Sequence, residues 1–115
     1  MTLRQRQSIF AHNVGRLILF AYMNGYELTL GEAHRTEATA AYYASIGKGI
    51  RKSLHCDKLA IDLHLFKDGK YKPATESHRI LGEYWKTLHE DNRWGGDFVA
   101  RKDGNHYSMA YRGRA

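Results

Sequence analysis

The chain's 115 residues are enough for one domain with a buried core, and its 43% hydrophobic content is ordinary for a globular protein. Its single cysteine, Cys56, excludes an intramolecular disulfide and a cysteine-based zinc knuckle, and favours a reducing compartment without fixing one. A net charge of +6 and a pI near 9.5 favour an anionic partner, whether nucleic acid, anionic lipid or an acidic cell-wall polymer.

The basic residues run from Arg4 to Arg114, with "GKGIRK" at 47–52 the densest group, and a solvated surface accounts for such a spread. Arg4 and Arg6 precede apolar residues, which invites a targeting reading. His12, Asn13 and Arg16 interrupt the segment, however, and the apolar run from Leu17 to Met23 is too short to span a bilayer. Neither an export signal nor stable membrane insertion is expected. Ile9, Phe10, Val14, Leu17, Ile18 and Ala21 instead recur at three- and four-residue steps, the buried stripe of an amphipathic scaffold helix.

Next, "YELTL" at 26–30 alternates as a short strand ending at Gly31. Residues 36–46 read as a helix closed by Gly47 or Gly49 in a left-handed cap. "LAIDLHLF" at 59–66 reads as a strand, and "KDGK" after it as a turn. The segment "TESHRILGEYWKTLHED" is a helix with Thr75 or Ser77 as N-cap and with Ile80, Leu81, Tyr84, Trp85 and Leu88 on one side. "WGGDFVA" and "HYSMAY" are expected as two strands around an "RKDGN" turn. There is no repeat or linker, so the expectation is a single α+β domain over residues 1–115, with an antiparallel sheet and flanking helices.

Alternation along the strand at 59–66 puts Leu59, Ile61, Leu63 and Leu65 on one face and Ala60, Asp62, His64 and Phe66 on the other. The leucine face makes core. A carboxylate in mid-strand needs a partner, which is either a surface Arg or Lys or a metal ion shared with His55. The C-terminal segment adds His106, with Asp103 three residues before it. A catalytic zinc keeps three protein ligands and one open position, and His55, Asp62 and His106 complete that count, leaving Asp103 for proton transfer.

At these residues the chain resembles the D-Ala-D-Ala metallopeptidases, which comprise VanX- and VanY-like enzymes and phage L-alanyl-D-glutamate endolysins and share their fold with the hedgehog signalling domain. "SLHCDKLAIDLHLF" is similar to the family's Ser-x-His-x6-Asp signature. "WGGDF" followed by "DGNHYS" is similar to its Trp-Gly-Gly-Asp turn and acid-x-x-His-aromatic motif, and "GEAHRT" to its Gly-x-Arg-Thr segment. The three lie in the family's order over roughly residues 28–110. The resemblance implies zinc on His55, Asp62 and His106, and Asp103 as general acid/base. It also implies Arg35 at the substrate carbonyl and Ser53 beside the first ligand as a substrate-binding residue. Asp rather than Glu at 103 leans towards the phage endopeptidases. Two departures stand out: "EA" and His34 occupy positions where the family has small or apolar residues, and Ser108 stands where Glu is common.

The reaction so implied is hydrolysis of a peptidoglycan stem-peptide amide, the L-Ala-D-Glu bond in the endolysin case. The protein would be a monomer that binds bacterial peptidoglycan and no nucleic acid, held in the host cytoplasm until lysis. A basic surface suits the anionic wall. A D-Ala-D-Ala carboxypeptidase or dipeptidase shares every motif, and a non-enzymatic, metal-stabilised binding protein is the rival from another class. Trp94 is a candidate wall of the substrate groove, or else a core plug. His64 is a half-exposed neighbour rather than a ligand. His12, His78 and His89 are surface or packing residues, Cys56 is a packed thiol, and Trp85 belongs to the core. Tyr42, Tyr43, Tyr71 and Tyr111 either pack or line a groove.

Overall fold

The structure, a computed structural model, describes residues 1–49 and 52–115. Ile50 and Arg51 of the basic "GKGIRK" segment lie outside the described residues.

The first helix, α1 (Leu3–Met23), starts at a capping box in which Thr2 and Gln5 satisfy each other's backbone N–H groups. The apolar stripe is turned inward as its spacing requires. Phe10, Leu17 and Ala21 are buried, Ile9 and Val14 pack at the margin, and Asn13 joins the buried face. The chain turns at Gly25, whose φ of +81° favours a residue without a Cβ, and enters β1 (Tyr26–Leu30). Thr36 caps α2 (Glu37–Ser45), and Gly47, at φ +74°, takes the left-handed position after it. The chain then passes through a short 3-10 turn (Leu54–Asp57) into β2 (Ala60–Lys67). A tight turn at Asp68 and Gly69, both with positive φ, returns it as β3 (Lys70–Tyr71).

The helix α3 (Arg79–Thr87) does not begin at Thr75 or Ser77. Those residues lie in a 3-10 turn (Thr75–His78), and neither side chain caps. His78, immediately before the helix, has helical rather than extended backbone angles, so the geometry of a side-chain cap is absent. "WGGDFVA" is likewise not a strand. Only β4 (Asn92–Trp94) pairs, because Gly95–Asp97 coil into a 3-10 turn that brings the Gly95 backbone against Asp103. The last strand is β5 (His106–Met109).

All pairings are antiparallel, in the order β1-β2-β5-β4, with β3 also on β2. The fold is α+β, as expected. The helices α1 and α3 cover one face of the sheet. Leu59, Leu63, Leu65, Tyr107 and Met109 meet Phe10, Leu17, Leu81 and Trp85 there, with the Phe10 ring edge-on to Trp85 at 5.6 Å. Burying side chains of this size is worth about 1.5–3 kcal/mol each. The alternation of β2 is preserved: Ile61, Leu63 and Leu65 are buried, whereas Asp62, His64 and Phe66 are only partly covered. The second face carries Asp62 and His64 of β2, and there Asp62 meets His106 of β5.

Candidate metal centre and catalytic cleft

Asp62 and His106 face each other across the β2–β5 ladder as a register pair, so strand pairing alone brings their side chains together. The third member arrives by a different device. Ser53 accepts a hydrogen bond from the His55 backbone N at 3.1 Å and caps the 3-10 turn, and Lys58 ends that turn in the left-handed conformation. The turn holds His55, 3% exposed, over the strands. His55 Nε2 lies 3.3 Å and His106 Nδ1 3.5 Å from the same oxygen, Asp62 Oδ1. The two imidazoles meet edge-on with centroids 5.2 Å apart.

One donor atom from each of the three residues lies within 4.8 Å of the others, and among the described residues this is the group that could hold a metal ion. His64, on the same face of β2, does not take part and stands edge-on to Tyr71. Two imidazoles and a carboxylate are a zinc donor set. The fit is supported by burial without satisfaction: Asp62 Oδ1, turned towards both rings, is buried and has no hydrogen-bond partner. A buried polar atom is seldom left so, and a cation between it and the two rings resolves the deficit. Burial alone would raise the Asp62 pKa, but the His106 and His55 imidazoles close to its oxygen outweigh it and hold the group far below the usual carboxylate range. Asp62 is therefore anionic at any physiological pH.

Asp103 reaches the cluster from the loop before β5. Its carbonyl accepts from the His106 N at 3.0 Å, and its N donates to the Gly95 carbonyl at 2.9 Å. The residue is exposed overall, yet it lines the same cleft as the cluster. Shielding from water raises the pKa of its carboxyl, and the charge of Asp62 adds to the rise while His106 and His55 oppose it. A carboxylate moved up in this way is better suited to exchange protons near neutrality. Arg35 enters from the other side, with its guanidinium on the Tyr43 ring at 5.1 Å and paired to Glu32. The cleft, about 430 Å³, is also lined by Lys48, Phe98, Arg101 and Lys102.

Six of the seven residues singled out from the sequence therefore border one cleft, and Trp94 does not. Its side chain is fully buried in the core against Gly82 and Gly96, and its indole donates to the Gly104 carbonyl at 2.8 Å. Trp94 is thus the core plug, with no face towards a substrate. Ser53 borders the cleft, but its buried hydroxyl is occupied in holding His55. Glu32, Phe98 and the three outer cations were missed by sequence reasoning. Only Glu32 left a signal there, as an acid where the family has small or apolar residues.

The small antiparallel sheet backed by helices is a fold shared with solved peptidase structures. In particular, the chain is similar in structure to the L-Ala D-Glu endopeptidase ChiX of Serratia marcescens, with a TM-score of 0.69 and 19% sequence identity over 84% of this chain and 77% of that one. It is also similar to the vancomycin-resistance D,D-pentapeptidase VanY of the VanB-type cassette, an E175A mutant in complex with Zn(II). There the TM-score is 0.60 and the identity 17% over 87% of this chain and 70% of that one. No protein-family model and no curated protein sequence matches the chain.

Proposed function

We propose that this chain is a zinc-dependent peptidoglycan hydrolase that cleaves the L-Ala-D-Glu amide of the stem peptide, acting as a phage endolysin released from the host cytoplasm at lysis. The observation that carries the reading is the convergence of His55, Asp62 and His106 on one point beside Asp103, in a cleft lined by cations. The neighbours' activities, an L-Ala D-Glu endopeptidase and a D,D-pentapeptidase, support it. The phage assignment rests on the sequence resemblance.

His55, Asp62 and His106 would hold zinc, which when bound supplies Lewis acidity towards water and a carbonyl oxygen. Asp103 takes a proton from the attacking water and returns it to the amine as the C–N bond breaks. Arg35 donates to the carbonyl oxygen as negative charge gathers there, and losing one such donor costs on the order of a hundredfold or more in turnover. Lys48, Arg101 and Lys102 fit a peptide that carries free carboxylates on the D-Glu side of the scissile bond.

Digestion of purified Gram-negative sacculi by the zinc-loaded protein, with mass spectrometry of the released peptides, tests the reading. New D-Glu amino termini are expected, and the Asp103→Ala control should retain zinc while losing about 100- to 10,000-fold in rate. Release of terminal D-Ala alone would make the protein a carboxypeptidase. No product from a zinc-loaded protein would sink the hydrolase reading.

A further inference from the structure

Glu32 sits at a junction that neither the metal cluster nor the acid/base residue accounts for. Its backbone carbonyl accepts from the Asp62 N at 2.9 Å, and the residues beside it are stitched to the same framework. Gly31 N donates to the Asp62 carbonyl at 2.8 Å, and Arg35 N to the His55 carbonyl at 3.1 Å. Segment 31–35 is thereby tied to two of the three candidate ligands. The Glu32 side chain, 26% exposed, places Oε1 against Arg35, accepting from Nε at 2.7 Å and from a second guanidinium nitrogen. The same oxygen stands 3.7 Å from His55 Nδ1. That distance is electrostatic contact rather than a hydrogen bond. Because His55 Nε2 is turned to Asp62, a metal bound there needs the ring proton on Nδ1. That nitrogen is buried and has no hydrogen-bond partner. An anionic oxygen on the Nδ1 side favours that tautomer and strengthens the ligand, as outer carboxylates do in metal sites generally.

We propose that Glu32 is a positioning residue: one carboxylate oxygen orients the imidazole of His55 for metal and fixes the direction of Arg35, so that the cradle and the carbonyl-facing cation move as a unit. The Arg35 half of this rests on the peptidase reading, whereas the His55 half requires only that the cluster bind a cation.

The test is the zinc dissociation constant of the full chain, measured by competition with a chromophoric chelator, for the native protein, Glu32→Ala and Glu32→Gln, with the fold checked by circular dichroism. Glu32→Ala should weaken zinc about 10- to 100-fold. Glu32→Gln, which keeps a carbonyl acceptor but no charge, should recover part of the loss. In turnover, Glu32→Ala should lower kcat with little change in KM. A folded Glu32→Ala protein that binds zinc within twofold of native overturns the proposal. If that variant does not fold, Glu32→Gln decides alone, with at least a threefold loss expected and an unchanged constant overturning it. Because affinity is read without catalysis, a native protein that binds zinc but cuts no sacculi refutes the hydrolase function and leaves this inference standing.

Discussion

The two halves of the cleft are built in different ways. Asp62 and His106 are paired residues of neighbouring antiparallel strands, and the ladder that fixes them also buries Leu63 and Tyr107 on the opposite face. A slip of one residue would turn every one of these side chains over, so core burial enforces the ligand geometry. Asp103 and Arg35 sit on irregular segments and are held by a few contacts, the Asp103 backbone on Gly95 and His106 and the Arg35 guanidinium on Glu32 and Tyr43. Two of the three candidate ligands thus belong to the sheet, whereas the proposed proton carrier and carbonyl-facing cation belong to the loops.

The largest separation of the two should come from Asp62→Ala. Loss of a ligand should cost roughly a thousandfold or more in zinc affinity, beyond the 10- to 100-fold of a change outside the ligand set. His64→Ala, on the same strand face, should leave zinc content unchanged. Metal analysis after dialysis decides both, and an Asp62→Ala protein that kept stoichiometric zinc would break the division.

An effect of intermediate size lies on the strand side, away from the ligands. His78 is buried, and its Nδ1 lies 2.7 Å from the hydroxyl of Tyr107, the residue after His106. Burial, with a smaller contribution from His64, lowers the His78 pKa to about 4. The unfolded chain, with His near 6.5, therefore binds more protons between these values. The stability His78 contributes as a neutral residue is complete above pH 6.5 and falls by about 3 kcal/mol by pH 4. Denaturant titrations at several pH values should show this decline in the native protein and a flatter one in His78→Gln, whereas parallel curves would remove His78 as the cause.

The smallest effect on stability, and the sharpest test of the loop half, is Gly95→Ala. A Cβ there would stand 2.0 Å from the Asp103 carbonyl oxygen, so the loop must shift. Overpacking of this kind costs about 1–3 kcal/mol. Because the displaced backbone is that of Asp103, the proposed proton carrier, hydrolysis of sacculi should fall far more than zinc binding does. Equal losses of the two would mean that loop and sheet are not separable.

Much of this arrangement could be read from residue order. Periodicity of 3.6 in α1 and of 2 in β2 reflects which side chains must leave water, so both elements and the face bearing Asp62 were legible. Turn chemistry was legible where glycine must take positive φ, at Gly47 and Gly69. It failed where tertiary contact overrode local preference. Thr75 has the chemistry of a cap, yet it packs against Gly104 within a 3-10 turn, and the glycines after Trp94 coil instead of extending the strand.

The sequence by itself determined the candidate ligand types, their spacing and the strand that carries Asp62, because burial and alternation are properties of a chain's own neighbours. Only the tertiary structure decided that Trp94 is core, that Ser53 serves His55, and that Glu32 stands between His55 and Arg35. Those roles depend on which distant segments come within a few ångströms, and hydrophobic pattern carries no record of that distance.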